Sequence, residues 1–336
     1  MILIDALYIN NGGGKILLDY LIQQLSIHQI DAFYLLDNRV IGNHPVIPEN
    51  KKMYMPGSIF KRHFFYKKNK NTFSKIFCFA TIPPSIKMNV PVYTYFQQLI
   101  FVDIPNELPV IDRLKFRMKA FFIKCVSSNT DWWLVQSSEI KQKLGQRFYN
   151  KQKGIEVVPF YPEFEKKLMN IVREPKTYLY VSNAAPHKNH KALIDSFCQF
   201  FDKHNCGKLI LTVSNDYPDV QEVITQKVNK YYPIENIGFV DRKTLQQIYY
   251  SSEFLIFPSL SESFGLGIVE AIECGCKVIG ANLAYTFAVC EPSLVFEPTK
   301  KNSIFEAFEA SLDSTALPQT VPKTTNNINQ IISYLK

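Results

Sequence analysis

The stretch that most narrows the possible folds is residues 256–271, which passes from strand chemistry to helix chemistry across a short turn. Phe254, Leu255, Ile256 and Phe257 form an apolar run that Pro258 stops, because proline brings no N–H to a strand ladder. A small polar turn leads to Phe264-Gly265-Leu266-Gly267, and from Ile268 the apolar spacing predicts a helix with Glu270 in its first turn. In parallel α/β sheets a strand, a glycine-bearing turn and a helix N-terminus make a seat for an anion. The turn's backbone N–H groups point outward and the first helical turn adds partial positive charge. Glu262 and Glu270 lie eight residues apart, both expected at the carboxyl end of one strand, where open α/β sheets hold ligands. Carboxylates there suit sugar or ribose hydroxyls rather than phosphate. The alternative is that Glu262 is a solvated turn residue and Glu270 complements the helix dipole.

The same strand–turn–helix pattern occurs twice more. Residues 2–9 are an apolar run into Asn10-Asn11-Gly12-Gly13-Gly14-Lys15, followed by Ile16, Leu17, Tyr20, Leu21 and Leu25 on one helical face. The glycines read as a loop that lets backbone approach a ligand closely. Further on, the strand 177–181 leads into residues 182–190 and a helix from about Lys191. Lys188, just before that helix, is a compact cation suited to diphosphate oxygens, with Lys191 or Lys15 as further charge. His187 and His190 lack a third ligand and the chain has no D-x-D, so no metal is expected.

Between these units come strands at 32–36, at 90–98 ending in Gln97 and Gln98, at 132–135 and, last in the first half, at 155–162. Residues 112–128 read as a basic amphipathic helix, with Leu114, Met118, Phe121 and Phe122 at helical spacing. In the second half, strands at 209–213, 236–240 and 294–298, a helix at 245–252, an irregular stretch at 314–327 and a last helix from 328 complete the reading. The chain thus divides into domains at 1–163 and 164–327, with residues 328–336 as a helix packing back on the first. At 336 residues it is long enough for two cores.

Charge separates the halves. Up to Glu163 there are 21 Lys and Arg against 12 Asp and Glu, and beyond it 17 against 18, so the net +8 belongs to the first half. No acid occurs between Glu49 and Asp103, and residues 51–75 interleave eight basic residues, Arg62 among them, with Phe60, Phe64, Phe65, Tyr66 and Phe73. That composition fits a solvated face, an anionic membrane surface or RNA. Seven cysteines without C-x-x-C spacing imply reduced thiols and a cytoplasmic chain, and the opening residues read as a strand rather than a secretion signal.

Glu262-Ser263-Phe264-Gly265-Leu266-Gly267-Ile268-Val269-Glu270 resembles the E-x7-E signature of retaining glycosyltransferase family four, whose fold is GT-B. Gly275-Cys276-Lys277-Val278-Ile279 is similar to the family's G-x-P-V-I strand, with Lys277 in place of proline. Lys188 and Asn189 match the end of its G-R-x-x-x-x-K-N pattern, with Asn183 where the arginine would stand.

The resemblance implies two Rossmann-like parallel-sheet domains facing each other across a cleft. It implies Lys188 and Glu262 as catalytic residues, and Glu270, Ser263, Phe264, Gly265, Leu266, Gly13, Gly14, Asn183 and Val240 as the donor site. Gln97 and Gln98 fall on the acceptor side, where many relatives carry a histidine. The implied activity is metal-independent transfer, with retention, from a nucleotide-sugar to a hydroxyl of a glycan or lipid-linked glycan, without nucleic acid. A bacterial surface polysaccharide is the expected product, made at the inner face of the cell membrane. A catalytically silent sugar-nucleotide-binding subunit, or a nucleotide-sugar hydrolase or epimerase on the same fold, are the alternatives.

Overall fold

The computed structural model describes residues 1–104, 110–148, 154–165 and 171–336, which fall into two compact units. The first comprises residues 1–162 and 325–336, the second residues 163–324.

The first unit is built on seven parallel strands: β1 (Ile2–Ala6), β2 (Ala32–Asp37), β3 (Lys52–Met55), β4 (Ile76–Cys78), β5 (Val92–Phe96), β6 (Trp132–Val135) and β7 (Gly154–Val157). Their order, β3-β2-β1-β4-β5-β6-β7, reverses direction between β1 and β4, the doubly wound pattern. Its helices are α1 (Gly12–Ile27), α2 (Ile59–Lys68), α3 (Val110–Val126) and α4 (Ser138–Phe148). Val92 and Phe96, four apart on β5, point to one face of the sheet. Val92 packs with Phe65 and Tyr66 of α2, and Phe96 with Ala120 and Ile123 of α3, so these two helices cover the same face.

Four expectations change here. Gly13 and Gly14 are not a loop but lie in the first turn of α1; only Gly12, at φ +60°, needs the left-handed region. Lys15 is buried and pairs with Asp19 at 2.5 Å, one helical turn on, rather than offering charge to a ligand. Arg62 is also buried: its Nε meets Asp5 of β1 at 2.7 Å and its Nη atoms donate to the carbonyls of Ile82 and Pro83, which braces that loop. The last strand stops at Val157 instead of continuing to residue 162.

The second unit carries six parallel strands, β8 (Glu174–Tyr180), β9 (Lys208–Leu211), β10 (Ile234–Asn236), β11 (Ser252–Phe257), β12 (Lys277–Ala281) and, after the short β13 (Cys290–Glu291), β14 (Leu294–Phe296). The sheet order is β10-β9-β8-β11-β12-β14, and β13 pairs antiparallel with β15 (Val321–Pro322). The connecting helices are α5 (His190–His204), α6 (Pro218–Val228), α7 (Arg242–Ser251), α8 (Leu266–Glu273), α9 (Ala284–Val289) and α10 (Ser303–Ala310). Residues 237–240 fall outside β10, so the expected strand at 236–240 begins and ends earlier. Lys277, the departure from the family's proline, donates through Nζ to the carbonyls of Leu317 (2.9 Å) and Ser314, which pins the irregular stretch beyond.

The closing helix, α11 (Ile328–Leu335), belongs to the first unit and buries Ile328, Ile331, Ile332 and Leu335. Tyr334 stacks on Tyr93 of β5, and its carbonyl accepts from Lys75 Nζ at 3.1 Å.

Candidate active site

In the second unit the direction of winding reverses between β8 and β11, and a doubly wound sheet holds ligands at the carboxyl ends of such a pair. The segments leaving those two strands are the ones that carry Lys188 and Glu262. After β8 the chain makes a 3₁₀ turn, Pro186–Lys188, and Asn189 takes the left-handed conformation (φ +61°) before α5 begins. After β11 Pro258 ends pairing, and the turn runs to Gly265, again left-handed (φ +80°), before α8.

The two loops are stitched together. Leu260 N–H donates to the His187 carbonyl (2.7 Å) and Tyr180 OH to the Lys188 carbonyl (2.9 Å). Tyr285 OH donates to the Ser259 carbonyl at 2.7 Å. The result is a direct ion pair between Lys188 Nζ and Glu262 Oε1, with both side chains largely covered.

No side chain caps α8 at Gly265, so its first N–H groups keep the orphan character of a helix start. Gly265 suits this turn: its φ lies in the left-handed region, and an added Cβ would sit 3.1 Å from Ile268 Cδ1, which would have to give by a few tenths of an ångström. Phe264 is buried beside it, and Ser263 and Leu266 are half-buried.

Glu270 has a different environment. It is 3% exposed; Arg242 Nη1 donates to its Oε1 and Tyr249 OH to its Oε2 at 3.2 Å. Burial raises its pKa, while the Arg242 guanidinium opposes the shift. Arg242 lies over the Phe164 ring at 4.2 Å, and Phe164 N–H donates to Glu273 at 3.0 Å. The structure therefore brings Lys188 and Glu262 together, and gives Glu270 a cation of its own.

The remaining predicted positions divide. Asn183 is exposed, and its side-chain Oδ1 accepts the Ala185 N–H at 3.3 Å, a local turn rather than a cationic clamp. Val240 is half-buried in the loop before α7, beside Phe239, which is 90% exposed. His187 and His190 are held neutral: burial and the nearby Lys188 charge lower their pKa to about 4 and about 3. Among the described residues no three His, Cys, Asp or Glu side chains gather as a metal set.

In the first unit, Gln97 Nε2 donates to the Phe79 carbonyl at 2.6 Å, and a Cβ added at Gly14 would sit 3.5 Å from its Oε1, so Gln97 lies beside the first turn of α1. Gln98 is exposed at the start of the turn Leu99–Phe101.

Arg242 and Phe239 were missed in the sequence. Arg242 reaches Glu270 across 28 residues, a distance no motif spacing reveals. Phe239 had only its place next to Val240 as a signal.

Residues 163–320 match the family model described as glycosyl transferases group 1. An uncharacterized glycosyltransferase of Methanocaldococcus jannaschii is 26% identical over 114 residues, 34% of this chain and 29% of that protein. O-antigen chain mannosyltransferase B of Escherichia coli is 27% identical over 130 residues, 38% of this chain and 34% of the relative. The match thus spans about a third of the length of these curated relatives.

Among solved structures, sucrose-phosphate synthase from Thermosynechococcus elongatus aligns with a TM-score of 0.73 at 18% identity, covering 94% of this chain and 90% of that one. Anabaena HepE in complex with UDP and glucose aligns with a TM-score of 0.64 at 14% identity, over the same shares. Likeness at that identity establishes the architecture, two parallel-sheet α/β domains of GT-B type. Over residues 163–320 the chain thus matches the glycosyl transferases group 1 family model, within a fold of GT-B type.

Proposed function

We propose that this chain transfers a sugar from a nucleotide-sugar to a hydroxyl, with retention at the anomeric carbon and without a metal ion. The single observation that carries the reading is the Lys188–Glu262 ion pair at the uncapped start of α8, inside the residues that match the family. The hard part of such a reaction is stabilising the diphosphate as the C1–O bond breaks. Lys188 and the first N–H groups of α8 supply positive potential to that leaving group. In the empty protein Glu262 neutralises Lys188. When the donor's diphosphate takes over the lysine, Glu262 turns to the sugar hydroxyls. The acceptor oxygen then forms the new bond to C1, and its proton passes to the departing phosphate oxygen.

Glu270, held by Arg242 and Tyr249, receives the ribose hydroxyls, and Phe239 offers its exposed ring to the base. HepE was solved with UDP and glucose, and one curated relative is a mannosyltransferase, so UDP-glucose and nucleotide-mannoses are the first donors to try. The acceptor is a glycan or lipid-linked glycan of a bacterial surface polysaccharide. The enzyme would meet it from the cytoplasm, through contact with an anionic membrane.

Lys188→Ala is expected to lower donor turnover at least about tenfold, since one preorganised donor is worth about 3–4 kcal/mol of barrier. Near-wild-type transfer would remove Lys188 from the diphosphate. Free sugar released without an acceptor would assign the site to a hydrolase. Donor binding without turnover on any acceptor would leave a silent binding subunit, the reading that Asn183 in place of an arginine favours.

A further inference from the structure

We propose that α3 is the element by which this chain lies on an anionic lipid surface, with Ile111, Leu114, Met118 and Phe121 entering the headgroup–acyl boundary. The inference rests on the membrane contact proposed above and deepens it by naming the surface.

The helix has three kinds of side. Ala120, Ile123 and Val126 are buried, and Phe116 packs on the same core. On the opposite side Val110, Ile111, Leu114, Met118 and Phe121 are all between 59% and 78% exposed. At 3.6 residues per turn these five and the exposed Cys125 fall within an arc of about 100°. Lys115 and Lys119 lie along one margin of that arc, and Arg113, Arg117 and Lys124 along the other. Asp112, paired with Lys115 at 3.0 Å, is the helix's one acidic residue.

An apolar stripe bordered on both sides by cations suits one occupant above others. Long basic side chains lay their stems on apolar surface and keep their charges at the anionic headgroups, while Leu and Phe sink beneath them. A second copy of this chain would set like-charged margins against each other. The same sheet face also carries α2, where Phe60 and Phe64 are exposed one turn apart among exposed Lys61, Lys67 and Lys68. Among the described residues no helix is long and apolar enough to cross a membrane, so α3 would lie in the interface plane.

The test is co-sedimentation of the whole chain with phosphatidylcholine vesicles, with and without phosphatidylglycerol, at low and high salt. The wild type is expected to pellet with the anionic vesicles and to be released by salt. Leu114→Asp combined with Phe121→Asp should lower the bound fraction at least about tenfold. Lys115→Glu combined with Lys119→Glu should also lower it. Both should keep the wild-type thermal midpoint and donor turnover on a soluble acceptor. Wild-type protein left in the supernatant with both vesicle types would overturn the proposal, as would the aspartate variant pelleting like the wild type. A concentration-dependent dimer that the aspartate variant abolishes, without vesicle binding, would assign the stripe to a second copy instead. Turnover on the soluble acceptor separates any of these outcomes from failure of the transferase reading.

Discussion

At the scale of single residues, Lys188–Glu262 and Arg242–Glu270 are separate pairs, and their burial decides what each can do. Glu270 is almost fully covered, so its charge depends on Arg242. Arg242→Met is expected to destabilise by about 2–3 kcal/mol at pH 8, below the cost of breaking a fully buried pair because the guanidinium is partly exposed. The sign follows from the raised pKa: an unpaired, buried Glu270 takes up a proton more readily than in the unfolded chain, so the deficit should shrink as pH falls towards 5. Denaturant titrations at the two pH values check this; an equal deficit at both would contradict it.

His190 has the opposite dependence. Both its ring nitrogens are buried without a partner and its pKa is pushed down to about 3, so the folded state resists a proton that the unfolded chain accepts near 6.5. Stability should therefore fall as pH drops below that value. In His190→Leu the fall between pH 7.5 and 5 should be smaller by about 1–2 kcal/mol. Glu262 and Lys188 were legible in the sequence because a turn's composition announces it. Arg242, Arg62 and Lys15 were not. Glu270 and Asp5 become buried partners for Arg242 and Arg62 only once the chain has folded, and Lys15 itself is buried while Asp19, one turn on, stays half-exposed.

At the scale of elements, the strand–turn–helix over residues 252–273 was readable throughout. Apolar residues, a stopping proline and a left-handed glycine all act locally. Gly265→Ala is accordingly expected to cost about 1–2 kcal/mol and to lower donor turnover by re-aiming the start of α8. A variant with unchanged melting and turnover would show that the turn tolerates a Cβ. Elements set by long-range packing were less legible. In α3 the apolar spacing of Leu114, Met118 and Phe121 is real, yet the core takes Phe116, Ala120 and Ile123 instead. A helix with two apolar faces does not say which one the sheet will bury. Likewise β10 ends at Asn236 because its side chain turns back to Val213 N–H (2.8 Å), whereas Ile237, Phe239 and Val240 prolong the apolar pattern on paper.

At the scale of the molecule, both sheets are wound so that direction reverses beside the strand that opens each unit, and the loops at those points hold the residues of interest. The repeated α/β pattern made this architecture visible, and the charge imbalance sets the basic first unit apart from the second. The closing helix was expected to pack back on the first unit, and there Tyr334 meets Tyr93 and Lys75 from far along the chain.

In the proposed reaction Lys188 is the cation that takes the donor's diphosphate from its resting partner Glu262. The most direct measurement is calorimetric titration of UDP, GDP and ADP into the wild type and Lys188→Ala, using the tightest binder of the three. The variant is expected to stay folded and to bind that nucleotide at least about tenfold more weakly, a loss of about 1.4 kcal/mol or more. Equal affinity in the two proteins would contradict it.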